Sequence, residues 1–370
     1  MPLIALTLEP AYQYSSGGMV GEGQTRGAPL VVALLFLLLI GVPVPAHSTD
    51  LLRGMTGLKW SPSGERMVAV RVAVKDGRRP FDILGAAPLV SAGAKADAWN
   101  GIWLFRKDGR QVRKVCTEPE VAQWVGDKHL LVVRSASPPA ERVTWSLLDL
   151  RGKRIATIVA EAPEVLAWEV SPDGRYLAYI GSWPHEDAFR CATVLYRFRD
   201  RRTVGKYAIS VVGWSMAWSP DSRYVYGPES DRDWRLDAPN GKLEEKVRSL
   251  RFPGDADFAV SNTGQLVVAT EGPEGGGLNL IDWATGKEQW IAKGTFSDIA
   301  FGRDPNLFVC AKQTEGRDEG VRLGRLHARE WTLSQLKSAP GGVIALSHDS
   351  KRLAYVDAKG NVKVVPIPAE

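Results

Sequence analysis

Ala167-Trp-Glu-Val-Ser-Pro-Asp-Gly-Arg-Tyr-Leu-Ala-Tyr179 sets a turn with a defined mechanism between two runs of strand-forming residues. Pro172 presets φ at the second turn position, Asp173 can bond back to the backbone, and Gly174 can take the left-handed conformation that follows. Trp, Val, Tyr and Leu on either side suit a pleated, half-buried surface. The stretch predicts a tight antiparallel hairpin.

The same pattern recurs along the chain. It is clear in Leu58-Lys-Trp-Ser-Pro-Ser-Gly-Glu-Arg-Met-Val-Ala-Val70 and in Ala217-Trp-Ser-Pro-Asp-Ser-Arg-Tyr-Val-Tyr226. Weaker copies run over Phe258–Val268 and Ile344–Tyr355, and degenerate ones over Gln123–Val132 and Ile299–Phe308. Aligned on the serine position, they fall at 61, 125, 171, 219, 261, 302 and 347, so most intervals lie between 41 and 48 residues. The single interval of 64 contains a Gly/Ala-rich insertion at 75–100. Repeats of about 40–50 residues are the spacing of four-stranded propeller blades. Each unit carries a second turn signal further on, at Asp108-Gly109, Arg151-Gly152, Asn240-Gly241 and Thr285-Gly286.

The expected fold is therefore all-β: a propeller of about seven four-stranded antiparallel blades, with six or eight as the neighbouring counts. The last unit supplies only three strands, near 343–346, 353–356 and 362–365. A strand near 49–54 is expected to complete it and close the ring, removing exposed sheet edges.

The Trp/Val-Ser-Pro-Asp-Gly-Arg-Tyr-Leu-Ala pattern resembles TolB-like and WD-repeat-like propeller units of bacterial envelope proteins. The resemblance implies a fold more than a function. Such propellers serve as binding modules or as gating domains of prolyl-oligopeptidase-type enzymes, whose catalytic groups sit in a separate hydrolase domain. The chain runs only to Glu370, just past the last repeat, and no such domain is expected in it.

The N-terminal residues carry an address. The apolar run at 30–42 follows Arg26 and precedes Val44-Pro45-Ala46, the order of a secretory signal. Residues 1–46 are read as a signal peptide, with translation starting at Met1 or Met19, and 47–370 as one propeller domain. A retained single-span anchor is the competing reading. The expected location is periplasmic or secreted. The formal net charge is +5, and no run of Lys and Arg is dense enough for a nucleic-acid groove. Cys116, Cys191 and Cys310 lie in separate repeats without metal-ligand spacing, which suits small buried hydrophobes or one disulfide with a thiol left over.

Loop lengths vary most on the rim opposite the Ser-Pro-Asp-Gly turns, at 75–100, 135–142, 182–190, 227–234, 271–277 and 312–320. Function concentrates on variable loops held by a rigid scaffold. The candidate binding residues there are Arg78, Arg79, Phe81, Trp99, Trp183, His185, Arg190, Arg232 and Trp234. They mix aromatic and Arg side chains, the types enriched in interface hot spots. Asp187, Asp231, Asp233, Asp318 and Glu319 add acidic groups.

Signals for catalysis are weak. Gly213-Trp-Ser-Met-Ala217 resembles a nucleophile elbow but runs into another hairpin rather than a helix. His185-Glu186-Asp187 has no second histidine at ligand spacing. No catalytic residue, metal or cofactor is assigned. The expectation is a monomeric, non-enzymatic binding module with a protein or envelope partner, no nucleic acid and no membrane span after cleavage. The alternatives are a lactonase-like hydrolase with its site in the central channel, and a gating or sensor domain acting with a separate hydrolase.

Overall fold

The computed structural model describes residues 52–74, 100–117, 121–134, 142–185, 188–209, 215–228, 232–247, 257–270, 276–314, 317–327, 330–336, 343–357 and 359–368. They form a seven-blade β-propeller: seven antiparallel sheets in a ring, with strands in chain order within each and no helix among the described residues. The blades span 52–116, 122–159, 164–209, 217–247, 258–293, 295–335 and 344–366. Innermost strands of neighbouring blades touch, so these strands surround the central channel.

The repeated turn works as its residues dictate. The hydroxyl of Ser171 donates to Asp173 Oδ1 at 2.7 Å and accepts the Tyr176 N–H at 2.9 Å. Ser219 with Asp221 and Tyr224 repeats the arrangement, as does Ser347 with Asp349 and Arg352. All three serines are buried, and each is fully satisfied within its own hairpin. Three positions later stands a residue with positive φ: Gly64, Gly174 and Gly264, but Ser222 and Ser350 in blades four and seven. At both serines the hydroxyl accepts a backbone N–H from the preceding blade, Asp173 at 2.9 Å and Asp304 at 3.0 Å. A left-handed non-glycine residue costs conformational energy, and here the side chain returns an inter-blade hydrogen bond.

A second device joins blades nearer the channel. Trp60, Trp124 and Trp218 occupy one repeat position, immediately before the serine or its equivalent. Each donates its indole N–H to a carbonyl of the preceding blade's innermost strand: Ala345, Lys59 and Glu169, at 2.9, 3.1 and 3.2 Å. The three acceptors also share a position, two residues before their own serine equivalents. Apolar clusters fill the wedges between blades.

Ring closure differs from expectation. The seventh sheet has three strands among the described residues, Ile344–Leu346, Arg352–Val356 and Val362–Pro366. Leu52, Arg53 and Gly54 do not join it, because they pair with Val74, Ala73 and Val72 inside blade one. Residues 49–51 lie outside the described residues. The innermost strand of blade one is nine residues long and uses the segment itself. Among the described residues closure comes from packing: Leu58, Trp60 and Met67 share one buried cluster with Val343, Ala345 and Ala354. Arg352 lies over the Trp60 ring at 4.9 Å and donates to the Gly64 carbonyl at 3.0 Å.

Candidate binding face and central channel

The loop-rich rim contains less loop than its sequence suggests. The second and third strands of blade three, Tyr176–His185 and Ala188–Arg197, run ten residues each. They pair Trp183 with Arg190 and His185 with Ala188, so 182–185 and 188–190 continue the hairpin. Likewise Pro228 pairs with Asp233, and Thr314 with Arg317. The polar, aromatic and charged residues in these stretches are cross-strand neighbours rather than loop residues.

Trp183 is half-buried, with its ring laid over small residues. Gly181, Ala192 and Ala208 stand in register across three strands. A Cβ at Gly181 would come within 2.7 Å of the Trp183 ring, so the indole depends on the bare backbone there. The ammonium of Lys206, from the outermost strand, sits 3.5 Å from the ring centroid. Arg190 is exposed directly opposite Trp183. An indole with one cation over its face and an exposed Arg across the sheet suits contact with a carboxylate-bearing partner surface. Lys206 carried no sequence signal of its own, because its relevance comes from the register of a neighbouring strand.

Trp234 has a different role from the one its composition suggested. It is wholly buried and packs in the cluster between blades three and four. Its cross-strand partner is Gly227, where a Cβ would lie 2.1 Å from the indole. The bare glycine draws the ring down onto the sheet and away from the rim. Asp233 is also buried. His185 and Arg232 end and begin strands, but their side chains lie outside the described residues, as do those of Asp318 and Glu319. Arg78, Arg79, Phe81, Trp99, Asp187 and Asp231 lie wholly outside them. The structure thus brings Trp183 and Arg190 together and removes Trp234.

The channel is sparsely functionalised at the register position two residues before the repeat serine. Lys59 of blade one reaches Glu169 of blade three at 2.8 Å. To meet, both side chains extend past the innermost strand of blade two, which places the ion pair on the channel side. In blades four to seven the position is alanine: Ala217, Ala259, Ala300 and Ala345. Among the described residues no three His, Cys, Asp or Glu side chains assemble as a metal site. Cys116, Cys191 and Cys310 form no disulfide, and burial pushes the Cys310 thiol up to about 12.

The fold defines the chain as a seven-blade β-propeller. No protein-family model matches the sequence, and no curated protein does. Among solved structures the chain is similar to one in the mitotic checkpoint complex, with 12% identity, 89% of this chain and 97% of that chain covered, and a TM-score of 0.53. A chain of Kuenenia stuttgartiensis hydrazine synthase gives 14% identity, 66% and 93% coverage and a TM-score of 0.40. Identities this low carry the fold alone.

Proposed function

We propose that the protein is a non-enzymatic, extracytoplasmic binding propeller of TolB-like kind, presenting one rim of its blades to a protein or envelope partner. The observation that carries this reading is the contrast between channel and rim. The repeat position two residues before the serine holds the Lys59–Glu169 ion pair, Gln123, whose amide oxygen accepts the Val170 N–H, and four alanines. A hydrolase site needs a nucleophile or base set beside groups that orient it, and among the described residues the other members of this position are Gln123 and four alanines. On the rim, the Lys206 ammonium lies over the Trp183 ring, and Arg190 stands opposite Trp183 on the neighbouring strand. Aromatic and Arg anchors on a rigid support are the groups that dominate interface energetics. The leader at 1–46 supports a periplasmic or secreted address.

The test is affinity capture from the envelope fraction of the host, comparing wild type with Trp183→Ala and Arg190→Ala. The expected result is an acidic partner retained by wild type and lost from both variants. A partner indifferent to both changes, or hydrolysis of lactone substrates that Lys59→Met abolishes, would overturn the reading.

A further inference from the structure

Charge is unevenly distributed around the ring. The third and fourth strands of blades one, two and three, with their turns, occupy 101–116, 144–159 and 188–209. These segments contain 14 Lys and Arg against 3 Asp and no Glu. The corresponding segments of blades four to six, 232–247, 277–293 and 317–335, contain 10 Lys and Arg against 9 Asp and Glu, and blade seven has no fourth strand among the described residues. Nearly all the excess positive charge of these outer hairpins therefore lies on three consecutive blades. The hairpins are neighbours in space as well as in sequence: Gly152 of the blade-two turn lies against the Val115 carbonyl of blade one. Arg106, Arg110, Arg151, Lys153, Arg154 and Arg202 are all exposed.

The same flank carries apolar side chains that the fold leaves in water. Four large hydrophobic residues are exposed among those described: Val112 at 49%, Ile155 at 41%, Val159 at 54% and Trp290 at 49%. The first three belong to the outermost strands of blades one and two. Ile155 adjoins Arg154 in sequence, and Val112 lies between Arg110 and Arg113. Exposed aliphatic groups interleaved with cations match an interface that is anionic at its surface and apolar beneath. A nucleic-acid surface would favour aromatic groups for stacking on bases instead.

We propose that the outer hairpins of blades one to three form a docking flank for an anionic phospholipid surface. Arg and Lys engage headgroup phosphates while Val112, Ile155 and Val159 enter the headgroup boundary. This site is separate from the Trp183 rim, and a propeller held by this flank would leave its rim facing sideways along the bilayer. Its biological setting rests on the envelope address, but the binding itself does not.

The experiment is co-sedimentation of residues 47–370, which contain every described strand of the propeller, with vesicles of phosphatidylcholine alone and of phosphatidylcholine with phosphatidylglycerol. Variants are a blade-two reversal (Arg151→Glu, Lys153→Glu, Arg154→Glu) and an apolar variant (Val112→Ser, Ile155→Ser, Val159→Ser). A reversal on other blades (Lys242→Glu, Lys287→Glu, Lys359→Glu) serves as control. Circular dichroism confirms folding, and Arg199→Glu with Arg202→Glu on blade three is a second probe should the first variant misfold. Each cation at an anionic surface contributes several-fold, so the blade-two reversal should weaken binding to anionic vesicles by about a hundredfold, and the control by far less. The apolar variant should bind normally in low salt and release in high salt, where screening leaves the apolar contacts to hold. Equal binding to neutral vesicles, or equal loss in the control, would overturn the proposal. So would a DNA duplex that competes fully while the apolar variant behaves as wild type, since that indicates general polyanion attraction. Failure of partner capture with intact vesicle binding would refute only the rim reading, and the reverse only this one.

Discussion

Trp60 donates its indole N–H to the backbone carbonyl of Ala345, 2.9 Å away, and so ties the first blade to the last. Among the described residues the ring is closed here by Trp60, by Arg352 and by the cluster around them, whereas equivalent contacts elsewhere are backed by continuous chain. Trp60→Phe keeps most of the packing but leaves a buried carbonyl without its donor, at a cost of about 1–2 kcal/mol. Trp60→Ala also opens a cavity and should cost about 3–5 kcal/mol. Urea midpoints measure both. A loss at Trp60→Ala no larger than at Trp60→Phe would mean that the cluster does not close the ring.

Ser222 and Ser350 test whether the turn rim contributes to blade cohesion. Ser222 has φ 64° and accepts the Asp173 N–H. Ser222→Ala keeps the strained backbone and removes the acceptor, and should lose about 1–2 kcal/mol. Ser222→Gly removes the acceptor but relieves the strain, so its melting temperature should fall between alanine and wild type. The reverse order would show that the hydrogen bond contributes nothing.

Gly227 faces Trp234, and a Cβ there would lie 2.1 Å from the indole. Gly227→Ala forces the ring out of its place in the blade-three/blade-four wedge and should destabilise by about 2–3 kcal/mol. Gly324 stands in the same relation to Phe308, at 2.2 Å, and should respond alike. Near-ultraviolet circular dichroism should report disturbed tryptophan packing at both, directly at Trp234 for Gly227→Ala and through Trp331, which packs against Phe308, for Gly324→Ala.

His348 sits on the turn rim, where burial and then the neighbouring Arg303 hold its imidazole below the ordinary histidine value, against Asp349 and Asp173. A base depressed on folding binds its proton less readily in the native chain than in the unfolded one. Its contribution is therefore present above the ordinary histidine value and lost as pH falls through and below it. Wild type should lose more stability than His348→Gln between pH 7.5 and pH 5, read as urea midpoints. Parallel losses would remove His348 from the acid response.

Cys310 is fully buried, and its thiol is pushed up to about 12 by that burial. At pH 8 in native buffer a thiol reagent should modify Cys116 and Cys191 and leave Cys310 untouched. Cys310 labelling should appear only with denaturant, at the unfolding midpoint. Rapid native labelling would mean that blade six opens locally.

The parts of this fold governed by short-range chemistry were legible in the sequence. Ser171, Pro172, Asp173 and Gly174 specify their hairpin without outside help, and their recurrence counts the blades. Site geometry was harder to read, because it depends on which residue stands across the sheet. Trp183 and Trp234 both looked like rim aromatics. One rests over Gly181 and stays half-exposed, while the other falls onto Gly227 and is buried. Lys206 and the Lys59–Glu169 pair were invisible for the same reason, since they arise between strands or between blades. Residues 52–54 were assigned to the last blade because they have the composition of any strand, and only pairing with 72–74 places them in blade one.

The Trp60–Ala345 contact also sets an order in time. Its partners are 285 residues apart, so no synthesis intermediate can form it before nearly all of the chain is available. Until then Leu58, Trp60 and Met67 present an uncovered apolar face, while the neighbouring blades pair locally as each is completed. Contacts of such separation are formed late, and transiently exposed apolar surfaces are where aggregation starts. The first blade to be made is the last to be covered, and its exposed wedge is where a holding chaperone would have to act.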